Sequence, residues 1–392
     1  LLKDTKALLA TCRDAREIMS NYKSNIIVQN LGSPVNTPDT EYNAVVSADE
    51  SKMAFTRLRK NSSNDMIEEI FISKREIKAD KWNTPEVISF ETKFNVGTAG
   101  MTPDGETMLV FIGGVNNTGN LYSVKKTQNG WASPVTMGNH INSNYQETTA
   151  SITPDGKTIY FASNRPGGQG GLDIYRVEKE ENGQWGYARN LGPEVNTPDD
   201  EDAPFIHPDQ KTLFFASNGH NSMGGKDIFR TRLKDSKWSV PKNMGFPINT
   251  TVDDNYFTLT ADGSKGYISS DRLGGVGGHD IYGFNMPEDE ANIPLTLIKG
   301  RILEAETGKP VPTKIKVVDN SSSKKIDYVY DPNPETGNYL IIFPPGKDYD
   351  MIIESEQYMP YTININIPNQ TYFYELYQEV TLKAIKQFDV VV

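Results

Sequence analysis

The sequence predicts a mainly β protein: a five-bladed β-propeller closed by its own N-terminal strand, then a small antiparallel β-sandwich, with one α-helix in front. Three observations carry that expectation. The stretch SNRPGGQGGLDIYR (Ser163–Arg176) returns as SNGHNSMGGKDIFR (Ser217–Arg230) and SDRLGGVGGHDIYG (Ser270–Gly283), displaced by 54 and then 53 residues. A period of about 40 to 50 residues with four short strands per unit is the sequence signature of a propeller. Past residue 294 the period stops, and strand-like runs separated by turns continue without it.

In chain order, LLKDTKALLATCRDAREIMSNY (Leu1–Tyr22) places Leu1, Leu8, Leu9, Cys12, Ala15, Ile18 and Met19 at helical spacing with charged residues between them. Residues 1–23 are therefore assigned to a helix, the remnant of a helical repeat domain, because one such helix does not fold alone. Cys12 reads as a thiol buried on it. LATC (Leu9–Cys12) falls short of a lipobox, since Lys3, Asp4 and Lys6 interrupt the apolar lead-in.

The propeller is assigned to 24–286. One unit reads through 202–245: DAPFIHPDQ gives an inner strand and turn, KTLFFASN a second strand, KDIFRTRLK a third and KWSVPKNMG the outermost. The first turn recurs as TPDG at Thr102–Gly105 and Thr153–Gly156 and as TADG at Thr260–Gly263; proline pre-sets φ and glycine supplies the positive φ of a tight hairpin. Two degenerate third strands lie upstream, MIEEIFISK (Met66–Lys74) and NNTGNLYSVK (Asn116–Lys125).

First, second and third strands each appear five times, whereas outer strands carrying tryptophan appear four times, at Trp82, Trp131, Trp185 and Trp238. The missing outer strand is expected from the other end of the chain. NIIVQNLGSPVNT (Asn25–Thr37) shares the LG…VNT ending of GYARNLGPEVNT and PKNMGFPINT, so residues 25–31 should pair beside 279–285 and remove two open sheet edges. The glycine loops have no Walker lysine-hydroxyl pair and no Rossmann strand-to-helix context. Their recurrence reads as structure, with Asp173, Asp227 and Asp280 accepting hydrogen bonds from the amides of their own turns.

PEDEANIP (287–294) is a polar linker. LTLIKGRILEAETGKPVPTKIKVVD, TGNYLIIFPPGKDYDMIIESEQYMP, TININIP and YFYELYQEVTL then give about seven strands, a sandwich assigned to 295–385. Residues 386–392 are expected to begin a linker to a further C-terminal domain.

These residues carry family resemblances. SNRPGGQGGLDIYR, TPDGKTIYFAS and the W…NLG…VNT strand together resemble the WD40-like PD40 repeat, the propeller type related to TolB, over roughly residues 25–285 and most specifically in the third to fifth units. TolB-like propellers usually have six blades, and this chain offers five units. GRILEAETGKPVP and GNYLIIFPPGKDYDMIIESEQYMP resemble the carboxypeptidase regulatory-like domain, a transthyretin-like sandwich, which implies a spacer or docking module without catalytic parts. The two units in this order resemble the middle of large OmpA-family periplasmic proteins of Bacteroidetes-type bacteria, similar to components of the type IX secretion and gliding machinery. That resemblance implies a periplasmic, outer membrane-associated protein whose partners are other envelope and secretion proteins. It also implies that peptidoglycan is reached only through a missing C-terminal OmpA domain, none of whose binding residues is in this sequence.

Composition narrows the classes. With 40 Lys+Arg against 51 Asp+Glu, the net charge of −11 argues against nucleic acid and anionic membrane as partners. A single cysteine permits neither a disulfide framework nor a thiolate metal site. No apolar run approaches the roughly 18 residues of a membrane helix. The sequence starts at Leu1 and shows no signal peptide, and is read as the middle of a longer protein.

No G-x-S-x-G elbow occurs; DGSKG (262–266) has aspartate where its first glycine belongs. His140, His207, His220 and His279 stand singly, without metal-ligand spacing, and read as surface or turn residues. TPDDED and TVDDN are oxygen-rich but lack the spacing of a calcium loop. Acids at or near the starts of the inner strands, Glu41, Glu147, Asp202, Asp253 and Asp254, are the serious chemical candidates, because glycoside hydrolysis needs two carboxylates. An acid that recurs in most units reads as scaffold, whereas a catalytic pair has two distinct environments. The expectation is a non-catalytic scaffold with no cofactor and no metal, and with Glu41, Glu147, Asp202 and Asp253 as candidate binding residues at the channel mouth. The alternative is a glycan-binding or glycan-cleaving five-bladed propeller using those carboxylates.

Overall fold

Short hairpins dominate the computed structural model, which describes residues 2–20, 25–114, 118–287, 293–321 and 325–386. Five antiparallel sheets follow one another between residues 29 and 285. Their first strands are Thr40–Val46, Val96–Met101, Glu147–Ile152, Glu201–Ile206 and Asp254–Leu259. Each touches the first strand of the next sheet, and the fifth touches the first, so the sheets form a ring.

The turn between first and second strands shows why the local sequence folds this way. Thr102 Oγ1 donates to Asp104 at 2.5 Å while accepting the Thr107 amide at 3.0 Å, and Gly105 takes φ +64°. The same exchange recurs at Thr153–Thr158 and Thr260–Lys265. Each first strand carries an irregularity in register two or three residues after its start, a bulge of the kind that twists and re-aims a strand.

The outer strands are split rather than continuous. In the fourth sheet Lys237–Trp238 and Lys242–Asn243 both pair with the third strand, Asp227–Lys234. Trp82 and Trp131 occupy the equivalent first pieces, and Trp185 makes an isolated bridge to Lys179. Each tryptophan is part-buried against its core cluster. The fourth strand of the fifth sheet is Gln29–Asn30, antiparallel to Asp280–Asn285, with Gln29 opposite Gly283 and Asn30 opposite Tyr282. Asn36 extends the pairing: its side chain bonds the Ile281 amide at 2.9 Å and the Ile281 carbonyl at 2.8 Å. The LG…VNT repeat acquires a physical meaning here, because Asn142, Asn196 and Asn249 hold Leu121, Ile174 and Ile228 in the same way.

The second β unit packs two four-stranded sheets around a core that includes Ile298, Val317, Tyr339, Phe343 and Met351. The expectation of a purely antiparallel sandwich does not hold. Thr296–Glu304 pairs in parallel with Tyr374–Tyr377 and Val380–Leu382, because the chain crosses from the edge of the other sheet and returns in the same direction. This unit sits on the face of the ring that carries the first turns. Leu295, Leu297, Leu340 and Ile342 bury Ala261 there, with Ala48 beside them. Of the linker, residues 288–292 lie outside the described residues, as do 387–392 at the end, 21–24 and Asn116–Asn117 of the second degenerate repeat.

The helix spans Leu2–Ser20. Cys12 lies on it but is exposed, contrary to the buried thiol expected. The helix approaches the ring near its C-terminal end, where Ile18 stands 3.5 Å from the position a Cβ on Gly245 would take. The upstream turns around Leu9 and Cys12 are exposed accordingly.

Candidate functional site: repeat carboxylates and the axial mouth

Glu41 and Glu147 are fully buried and turn back into their own sheets. Glu147 accepts from the Ser143 amide and hydroxyl at 2.9 and 2.6 Å, from Ser163 at 2.9 Å and from Arg165 at 3.0 Å. Glu41 does the same with Thr37 and Arg57, the latter at 2.6 Å. Burial raises the Glu41 carboxyl above its ordinary value even with Thr37 and Arg57 opposing it. The other members of this series are Glu201 and Asp254, bonded to Thr197 and to Thr250 and Arg272. In the fourth sheet Gly219 stands where the third and fifth place Arg165 and Arg272, and His220 reaches the Val195 carbonyl instead, at 2.9 Å.

Asp202 and Asp253 therefore stand one residue out of that register, and alternation along a strand sends neighbours to opposite sides. Asp202 faces the preceding sheet, accepting from Thr148 at 2.8 Å, Thr149 at 2.9 Å and Lys226 at 3.2 Å. Burial alone would raise its carboxyl, but Lys226 and these hydrogen bonds hold it below the usual range. Asp253 takes the Lys226 amide at 2.8 Å. The four candidate residues consequently do not converge on one site.

The glycine loops do two jobs. Asp173 accepts the Gln169 and Gly170 amides at 2.6 and 3.3 Å, Asp227 the Met223 amide at 2.6 Å, and Asp280 the Val276 and Gly277 amides. Beyond that, each loop grips the next sheet. The Glu201 amide donates to Leu172 O, Asp254 to Lys226 O and Glu41 to His279 O, all at 2.8 Å. A Cβ on Gly170 would lie 2.0 Å from Asp199 O, and one on Gly277 1.7 Å from Asp39 O, so only glycine admits this approach. The spacing alone could have disclosed this clasp: a glycine pair immediately precedes Leu172, Lys226 and His279 in all three copies.

At the mouth above the ring axis, Tyr42 and Tyr256 bring their rings to 5.7 Å, and Tyr42 donates to Glu68 at 2.6 Å. Burial raises the Tyr256 phenol well above its ordinary value, reinforced by the charges of Asp202, Glu68 and Asp253. Sequence reasoning missed Tyr42, Glu68, Lys226 and Tyr256, because only the closed ring brings separate sheets together. Beneath them the axis narrows to a cavity of about 40 Å³.

The histidines stay apart. His207 is wholly buried in its turn against Thr260 O, rather than at the surface, and His140 stacks on Tyr187 at 4.5 Å. Among the described residues no group of three or more His, Cys, Asp or Glu could hold a metal ion, and no helix is long and apolar enough to cross a membrane.

No family model matches the chain, and no curated protein does. Solved structures similar to it include TolB from Acinetobacter baumannii, 17% identical over 67% of this chain and 63% of that one, with a TM-score of 0.39. A TolB-type chain from Agrobacterium tumefaciens is 14% identical over 81% and 98%, at 0.40. A thermostable family-43 glycoside hydrolase is 12% identical over 66% and 93%, at 0.45. At these identities and scores none of them assigns an activity to this chain.

Proposed function

We propose that this chain is a non-catalytic periplasmic scaffold: a five-bladed PD40-type propeller, sealed by its N-terminal strand, with a transthyretin-like sandwich as a fixed spacer. In this reading it serves a type IX secretion-type envelope complex. It is outer membrane-associated and reaches peptidoglycan through an OmpA domain beyond this sequence. The observation that carries the non-catalytic part is the use of the repeat acids. Glu41, Glu147, Glu201 and Asp254 are each committed to a turn four residues upstream and are fully buried, which leaves no carboxylate of the series positioned against a substrate. An axial cavity of about 40 Å³ also lies far below the roughly 300 Å³ at which ligand pockets begin.

The test is co-purification of envelope proteins with the full chain, in parallel with release of reducing ends from peptidoglycan fragments and arabinan. The expected result is a saturable protein partner that is retained by Glu147→Gln, with no sugar release. Glycan cleavage lost in Glu147→Gln or Asp202→Asn would overturn the proposal.

A further inference from the structure

Between the ring and the sandwich lies a cleft of about 640 Å³, inside the roughly 300–1,000 Å³ range of ligand sites. On the ring side it is lined by the first turns of the second and third sheets, at 102–104 and 153–157, and by residues 179–181. On the sandwich side it is lined by residues 328–331 and Leu340. The sandwich wall is a sheet edge. Lys325–Tyr330 pairs with Lys314–Asp319 on one side, and no strand among the described residues pairs with it on the other. Its register slips once, between Val317 and Val318, and is regular from Tyr328 to Tyr330, the stretch that borders the cleft. Tyr328 is buried in the sandwich core, whereas Val329 is 43% exposed. An uncharged edge bearing an exposed β-branched residue is a template for one more strand.

The charges of the cleft select a basic strand. Five carboxylates line it against two ammonium groups. Asp104 is taken by Tyr330 and by its own turn, and Asp155 by Thr153 and the Lys157 amide. Lys157 and Lys179 rest over the rings of Tyr328 and Trp185, at 5.8 and 5.4 Å. Glu180 accepts from Asn182 at 3.3 Å. Glu181, on the ring side, and Asp331, on the sandwich side, carry no ion pair or hydrogen bond among the described residues. Uncompensated negative charge therefore stands on both walls.

We propose that this cleft binds an extended, basic segment of a partner protein, which adds as a further strand along residues 328–330 with its cationic side chains between Glu181 and Asp331. This rests on the scaffold reading and names the surface and the chemistry of the partner. Main-chain pairing supplies affinity in such a mode, and the walls choose the side chains. Titration calorimetry of the full chain with an alternating lysine–valine hexapeptide tests it. The controls are the glutamate–valine analogue and the lysine peptide N-methylated on its valine amides. The lysine peptide is expected to bind and to protect amides 328–330 from hydrogen exchange. Its affinity should fall about tenfold on N-methylation, which removes ladder donors, and about tenfold in the double variant Glu181→Lys, Asp331→Lys. Both side chains are exposed, so the variant keeps the fold, which an unchanged thermal unfolding curve verifies. Absence of lysine-peptide binding, equal binding of either analogue, protection elsewhere in the chain, or unchanged affinity in the double variant overturns the cleft assignment. Each of those results leaves the scaffold reading standing, because that reading falls with the loss of co-purifying envelope proteins.

Discussion

The third, fourth and fifth sheets are joined to their successors by glycine clasps, whereas the first and second are not. The first loop, 61–65, has no glycine, and the pair in the second, Gly113–Gly114, bonds Asn95 O and Thr118 O at 3.0 and 2.7 Å rather than the next sheet; the junctions rest on scattered contacts such as Thr56 Oγ1 to Thr98 Oγ1 at 2.9 Å and a bridge between Gly119 and Gln146. The bare half has a different support. Glu106, 3% exposed, takes Lys52 of the first sheet at 2.8 Å together with Asn333, Thr336 and Asn338 of the sandwich at 2.9–3.0 Å. Tyr330 of the sandwich bonds Asp104, and Lys299 pairs with Asp49 at 3.0 Å. The third to fifth junctions are held by the ring's own repeat, while the first and second sheets draw on polar contacts from the sandwich, whose apolar contact also covers Ala261 of the fifth sheet. The sandwich is thus a brace as well as a spacer.

Breaking a clasp should have the largest effect. Gly277→Ala drives a Cβ to 1.7 Å from Asp39 O across the closing junction, and should cost about 3 kcal/mol or more in denaturant unfolding. The brace comes next. Glu106→Ala strands Lys52 and three sandwich donors and should cost roughly 3 kcal/mol. It should also raise hydrogen exchange in residues 96–152 and 333–338 while sparing 201–285; uniform exchange would dissolve the distinction between the halves.

The clasps themselves differ in one atom. Asp173 and Asp280 each satisfy both carboxylate oxygens, while Asp227 Oδ1 is buried without a partner. Burial pushes the Asp227 carboxyl up to about 7, with Asp254 and Asp253 adding to the rise against Met223 and Asn243. A raised acid binds its proton more tightly folded than unfolded. Its contribution is therefore whole below the ordinary value near 3.8 and is lost as pH climbs towards 7. Asp227→Asn should flatten that decline and be the more stable protein at pH 8, by up to about 4 kcal/mol; identical pH profiles would refute the assignment. Asn249→Ala, which removes one side-chain substitute for a strand ladder, should cost about 1–2 kcal/mol by thermal unfolding. Smallest of all, Cys12→Ser should change stability by less than about 0.5 kcal/mol, and native Cys12 should react with a thiol reagent before any unfolding.

Much of the ring was legible because its determinants are local. TPDG carries its own turn, and the LG…VNT ending marks a strand whose asparagine substitutes for ladder bonds wherever it falls. The candidate site was less legible for the same reason reversed. A one-residue error in register separates Asp202 from Glu201 and Asp253 from Asp254, and period-two alternation turns that error into opposite directions. Tyr42 and Tyr256 are more than two hundred residues apart in sequence, so no local pattern could have paired them.

What the sequence determined unaided is the set of repeating parts, since backbone turns, strand alternation and glycine approaches are set within a dozen residues. Tertiary structure decided where the strand-start acids turn, which sheets the sandwich braces, and that the last sandwich strand runs parallel to the first. Those outcomes depend on closing a circle and on packing one face against another, and such long-range contacts are specified by complementary shape and charge rather than by any segment read in isolation.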